Sequence, residues 1–282
     1  MQAKPGFTSF QLKVIALILM TFDHIHYCLS TVQSMPVWLT VLGRVSAPLF
    51  IFTMAQGFYY TRSRKNYLLR LYSASVLMGL GNFVMNKYFP LPGSATIINN
   101  IFATLFLCGI YIWAIEFMIN GIKQKSGKTF GGGLLLFLLP VLVTVLILAL
   151  TGSALNGQGV IAPGTLMLLR GLMLLAPSPF FVEGSVIWIG LGVGMYFLRN
   201  HKMGLTLFYG GVSLFFLLNA GLSVGFTAQN LFAQNPQWFM IAALPFMLLY
   251  NGQRGRSMKY FFYLYYPLHV YALTFLARAL AS

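Results

Sequence analysis

Acidic side chains are nearly missing from this sequence: its 282 residues hold three Asp or Glu, and charged residues of both signs make up only 7%. A soluble domain covers its surface with about a quarter charged residues, so a soluble enzyme is excluded. A disordered tail is excluded too, because 58% of the chain is apolar. Two cysteines, Cys28 and Cys108, do not make a secreted disulfide scaffold, and both sit inside apolar runs. No ten-residue alternation of apolar and polar residues recurs, which argues against a transmembrane β-barrel. Neither an internal repeat nor a long linker is visible, so residues 1–282 read as a single integral membrane domain. The first apolar run has no small-x-small cleavage site and contains Asp23, His24 and His26, so it reads as a permanent helix rather than a signal peptide.

What the sequence has in abundance is long apolar runs. About 17 to 25 such residues cross the hydrocarbon core as a helix, and a helix satisfies its backbone polar groups internally. The runs predict an all-α, polytopic transmembrane helix bundle of about nine spanning helices. They cover approximately 9–29, 41–60, 66–86, 96–119, 132–151, 179–198, 204–221, 237–250 and 258–279. The stretch from Pro163 to Ala176 is short, carries Arg170 and stops at Pro177-Ser178-Pro179, so it reads as one additional re-entrant or interfacial helix.

The net charge of +15 does not mark a nucleic-acid partner, because the cations lie in short loops between apolar runs. Every Lys and Arg except Arg44, Lys87, Arg170 and Arg278 falls at the N-terminus or in one alternate set of loops. Under the positive-inside rule this makes the chain an integral protein of the inner (cytoplasmic) membrane, with the N-terminus cytoplasmic and the C-terminus external. The lipid bilayer is its first partner.

An ionisable group within the bilayer costs about 2.5–3.5 kcal/mol on insertion scales and is a functional candidate by default. Asp23 and His24 stand about 20 Å along the first helix, where an Asp beside a His suits a base held in one tautomer. A buried pair of Asp23 with Arg44 that only fixes helix packing is the plainer alternative. Arg44 opens the second helix and Glu183 the sixth, each a candidate binding residue or a structural partner of the other. Glu116 lies beside a basic loop and suits a salt bridge. His269 sits about 16 Å into the last helix, a depth that lets it border one cavity with His24. The two imidazoles of His24 and His26 point to opposite helix faces, and no metal is expected.

Several stretches resemble the TraX family, named after the protein that acetylates conjugative F-type pilin. LKVIALILMTFDHI at 12–25 is similar to the family's opening helix, and GRVSAPLFIFTMAQGFYYTRSRKNYLLRL at 43–71 to its second helix, basic turn and third helix. NNIFATLFLCGI at 99–110 looks like its fourth, and LLYNGQRGRSMKYFFYLYYPLHV at 248–270 resembles its most distinctive stretch, ending in Tyr-Pro-Leu-His. The resemblance implies a multi-pass acyltransferase, akin to the group that includes heparan-alpha-glucosaminide acetyltransferase. It singles out Asp23, His24, Arg44, Tyr266, Pro267 and His269. Gln56 stands where the family commonly carries an acidic residue, and GLGNFVMN replaces its acidic stretch after the third helix.

The expected reaction moves an acetyl or acyl group from cytoplasmic acetyl-CoA or another acyl-CoA to an acceptor at the outer face, a pilin-type amine or a cell-surface glycan. His24 is the expected base, oriented by Asp23, with His269 polarising the acyl carbonyl or acting as second base. Arg62, Arg64 and Lys65, with Arg254, Arg256 and Lys259, are placed to hold the CoA phosphates. Both loops are expected to converge on one inward-opening cleft beneath His24. A proton-coupled secondary transporter and a non-enzymatic partner in surface assembly are the competing classes.

Overall fold

A computed structural model of the chain describes residues 5–155 and 162–282. Lys4, one of the expected inner-face cations, lies outside them, as does the side chain of Lys259. The described residues form helices α1 (Ser9–Leu29), α2 (Trp38–Gly43), α3 (Ser46–Tyr59), α4 (Arg64–Tyr88), α5 (Ile101–Lys123), α6 (Gly127–Leu155), α7 (Pro163–Leu175), α8 (Ser185–Phe197), α9 (Lys202–Val224), α10 (Leu244–Leu248) and α11 (Lys259–Ala281). An isolated parallel bridge joins Phe7 to Tyr250.

Six helical segments among the described residues are long and apolar enough to cross a membrane: α1, α2 with α3, α4, α5, α6 and α9. Only 22% of the α6 span is buried although it is the most apolar of the six, so its leucine-rich surface needs lipid rather than water around it. Three expected crossings have a different form. Residues 179–198 yield the 13-residue α8, about 20 Å long and short of the ~30 Å hydrocarbon core. Residues 237–250 form a 3-10 helix, Pro236–Ala243, that runs into α10. The last, α11, has 23 residues and the necessary length, but its tyrosines, Pro267 and His269 make it less apolar. The short helix expected after Pro163 is α7.

The chain divides into two compact units. The first comprises Met1–Gly57, Gly81–Ile97 and Gly194–Ser282, and the second Phe58–Leu80 and Ile98–Val193.

In the first unit, the entry to α1 is held by four backbone donors that the helix itself cannot satisfy. Thr8 and Gln11 form a reciprocal capping box, with Gln11 Oε1 accepting from the Thr8 N–H at 2.8 Å. The N–H groups of Ser9 and Phe10 donate to the carbonyls of Gln253 (2.8 Å) and Arg254 (3.1 Å). Phe7 donates to Leu249 at 2.8 Å and accepts from Asn251 at 3.0 Å. Gly6 makes this approach possible: its φ is +116°, and a Cβ there would lie 2.2 Å from the Leu249 carbonyl oxygen. The loop that leads into α11 is therefore fastened to the start of α1. Contacts further along pair Thr21 with Tyr265 and His24 with His269, so α1 and α11 run in the same direction side by side.

In the second unit, α5 and α6 form an antiparallel hairpin closed by Ser126, whose Oγ caps the N–H of Thr129 at 3.3 Å. Tyr111 and Phe137 meet edge to face across it, ring centroids 4.9 Å apart.

Candidate functional site

The polar centre of the first unit lies where α11 crosses α1. His24 and His269 are both buried, at 4% and 9% exposure. His24 Nδ1 and His269 Nε2 are 2.6 Å apart, and the rings lie nearly parallel with centroids 4.8 Å apart. The His269 ring also stacks on Tyr265, at 5.0 Å and 17°. The Tyr265 hydroxyl meets Thr21 Oγ1 at 2.9 Å. Because the Thr21 hydroxyl donates to the carbonyl of Leu17 at 2.8 Å, Tyr265 is the donor in that contact. Tyr266 is buried, with its ring centroid 5.9 Å from that of His24 and 5.8 Å from that of His269.

Pro267 belongs to the same construction. It supplies no N–H to the Tyr263 carbonyl one turn back and so removes that rung from α11. Two residues on, the His269 Nδ1 lies 2.8 Å from the carbonyl of Tyr265.

Asp23 is engaged elsewhere, which corrects the expectation that it orients His24. Its Oδ1 accepts from the Arg44 guanidinium and from Thr40 Oγ1, the latter at 2.8 Å. Arg44 also donates from Nε to the carbonyl of Thr40 at 3.2 Å and from Nη2 to Thr40 Oγ1 at 2.8 Å. The physical reason is that neighbouring helix positions point about 100° apart. His24 faces α11, and Asp23 faces α2. The group that holds the His24 ring is His269.

Gly43 permits the α1–α2 approach: a Cβ there would lie 2.4 Å from the Asp23 Cβ. Gly43→Ala is expected to force the two helices apart and lower the thermal midpoint of the purified protein, at a cost of about 1–3 kcal/mol for overpacking. An unchanged midpoint would mean that α2 can shift without penalty.

The start of α1 in this unit is also its basic end. Arg254 and Arg256 are exposed in the loop whose carbonyls hold α1. Arg254 donates to Ser257 Oγ at 3.0 Å. Lys13 reaches over the Phe262 ring, and Lys202 Nζ donates to the carbonyl of Leu248 at 3.2 Å. At the far end of α11, Arg278 donates to the carbonyl of Pro90 at 2.8 Å.

The second unit holds the remaining candidates. Arg62 and Lys65 are exposed. Arg64 instead makes a two-point ion pair with Glu116, so its charge is already matched within the protein. Glu183 accepts the backbone N–H of Asn100 through Oε2 at 2.9 Å, and Thr104 Oγ1 donates to the Glu183 carbonyl at 2.6 Å. A carboxylate at this place favours the N-terminus of α5 through the helix dipole. Glu183 and Arg44 are therefore not partners of one another; Arg44 pairs with Asp23, the plainer alternative named from the sequence, and Glu183 with Asn100.

Thr21, Thr40 and Tyr265 are the residues sequence reasoning passed over. Helical spacing carries the signal for each: Thr21 is one turn before His24, Thr40 one turn before Arg44, and Tyr265 one turn before His269.

Comparison with known proteins adds a family. The model of the family described as TraX protein matches residues 9–169 and 136–277. A probable fimbrial assembly protein, FimC of serogroup H1 from Dichelobacter nodosus, is 39% identical over 69 residues, which is 23% of this chain and 27% of that protein. The match thus spans about a quarter of the length of that relative. No solved structure matches the chain.

Proposed function

The chain belongs to the TraX family, matched from residue 9 to residue 277, and from this premise we propose that it is a membrane-embedded acyltransferase acting in pilin modification or pilus assembly. The donor in this reading is acetyl-CoA or another acyl-CoA from the cytoplasm, and the acceptor is an amine or hydroxyl presented at the outer face. An N-terminus inside and a C-terminus outside would put the two ends of α1 and α11 at the faces where donor and acceptor arrive. The similarity to a fimbrial assembly protein supports a pilus-related acceptor.

One observation carries the reading: the parallel packing of α1 and α11 sets a buried histidine pair roughly 20 Å along α1 from a loop rich in arginine. Arg254 and Arg256 at that loop suit the phosphates of CoA, which they would meet through charge-assisted hydrogen bonds. His24 suits the acceptor. A primary amine is mostly protonated at neutral pH and a hydroxyl is a weak nucleophile, so either gains from a base that takes its proton as it attacks the thioester carbonyl. The C–S bond then breaks, and CoA leaves as the thiol once it has gained a proton. His269 holds the His24 ring, and the Asp23–Arg44 pair holds α1 to α2.

The test uses purified protein in nanodiscs, radiolabelled acyl-CoA and a pilin-peptide amine. Neutralising Arg254 and Arg256 together is expected to weaken acyl-CoA binding by about 1–3 kcal/mol per lost charged contact, and by less in high salt. Reporters fused after Ser282 and within the Lys123–Lys128 loop, expected outside and inside respectively, check that the double variant keeps its topology. Unchanged affinity with topology intact would remove the donor site from this loop.

A further inference from the structure

The hydrogen bonds around the histidine pair decide where each ring proton sits. A backbone carbonyl can only accept, so the 2.8 Å contact between His269 Nδ1 and the Tyr265 carbonyl requires the proton on Nδ1. A neutral imidazole carries one N–H, which leaves His269 Nε2 with a lone pair. That lone pair lies 2.6 Å from His24 Nδ1, so His24 must carry its proton on Nδ1 and donate it. The chain of constraints ends at His24 Nε2, which bears no proton.

Tyr265 imposes this order in three ways. Its carbonyl takes the Nδ1 proton of His269, its ring stacks on the His269 ring, and its hydroxyl is tied to Thr21 on α1. These contacts stop the His269 ring from flipping, and a flip would exchange donor and acceptor toward His24.

We propose that His24 Nε2 is the reacting nitrogen of this protein, that His269 Nε2 receives the proton His24 gives up at Nδ1, and that Tyr265 is the positioning residue that sets both tautomers. The proposal rests on the acyltransferase reading for its chemistry, and its tautomers stand on geometry alone. In the reaction, Nε2 removes the proton of the acceptor N–H or O–H as that atom forms its bond to the thioester carbon. The Nδ1 proton moves at the same time to His269 Nε2, so the positive charge comes to rest on His269, beside the Tyr265 carbonyl. When the C–S bond breaks, the thiolate takes the proton from Nε2 and His269 returns its own to Nδ1. One acceptor proton has become one thiol proton, and both rings are restored. A relay of this kind moves the charge from His24 to the ring whose Nδ1–H donates to the Tyr265 carbonyl, which lowers the cost of creating it in a buried place.

The tautomers are read directly from ring nitrogen-15 shifts of histidine-labelled protein in lipid bilayers. The sequence has four histidines, so single His→Gln variants assign every signal. His24 and His269 are both expected as the Nδ1–H form, the minor one for free histidine. His269→Gln offers an oxygen acceptor and is expected to keep His24 in the Nδ1–H form. His269→Leu offers none and is expected to move His24 toward Nε2–H. Tyr265→Phe retains ring and carbonyl and leaves both tautomers in place, whereas Tyr265→Ala frees the ring and mixes them at His269. An Nε2–H signal from either histidine in the unmodified protein overturns the assignment, and this outcome is independent of whether the protein transfers acyl groups.

The relay has its own kinetic readout. His269→Gln keeps the orientation of His24 but cannot take its proton, so kcat is expected to fall about tenfold or more with the KM for acyl-CoA unchanged. A full kcat in that variant, with His24 still in the Nδ1–H form, would leave His269 no part in proton transfer and overturn the relay.

Discussion

His24→Ala is expected to lower kcat for acyl transfer by about 10²-fold or more while acyl-CoA binding persists. The variant removes the base and also strips His269 of the donor that faces its Nε2. The site is buried, so no water takes over as an equally placed base, and the loss should fall in the chemical step rather than in substrate affinity. Asp23→Asn is expected to cost much less, because the His24–His269 contact does not pass through Asp23. Measuring kcat and KM separately for both variants, well below the thermal midpoint of each, makes the comparison. Full activity in His24→Ala would return the histidine pair to a packing role.

The second large effect is on stability. Asp23 and Arg44 are only 24% and 29% exposed, and both sit in segments long and apolar enough to cross a membrane. Asp23→Ala leaves the Arg44 guanidinium with the Thr40 carbonyl and hydroxyl but no countercharge. Breaking a buried pair from one side costs about 3–5 kcal/mol, and the lower end is expected for a pair a quarter exposed. Replacing both residues together, as Asp23→Leu with Arg44→Met, is expected to recover much of the loss, since no buried charge is then left alone. Thermal unfolding of the parent, Asp23→Leu, Arg44→Met and the double variant gives the coupling energy. Simple additivity would mean that the two charges do not interact across α1 and α2, and the pair would lose its structural role.

Much of this protein is legible in one dimension because a bilayer imposes local rules. A helix that crosses lipid must be apolar over about 20 residues, and the six helices that meet this test stand where the apolar runs are. The same solvent makes Asp23, His24, Arg44 and His269 conspicuous, because each is expensive in a hydrocarbon environment. Length also carried its own limits. The run at 237–250 has the composition of a span, yet Pro236 and Pro245 leave it as a 3-10 helix and one turn of α-helix. In α8, the backbone becomes regular only after Gly184 and Ser185, both with positive φ.

What tertiary structure alone decided is which polar group meets which. Asp23 and His24 are adjacent in sequence, and adjacency suggested a pair. On a helix, however, adjacent side chains point about 100° apart, and their partners come from whichever helices pack on the two faces. Those are α2, with Thr40 and Arg44, and α11, whose His269 is 245 positions from His24. The tautomer of His24 was hidden for the same reason. It follows from the Tyr265 carbonyl on α11, which lies within reach of the His269 ring one turn on, and a backbone carbonyl has no residue-type signature to read.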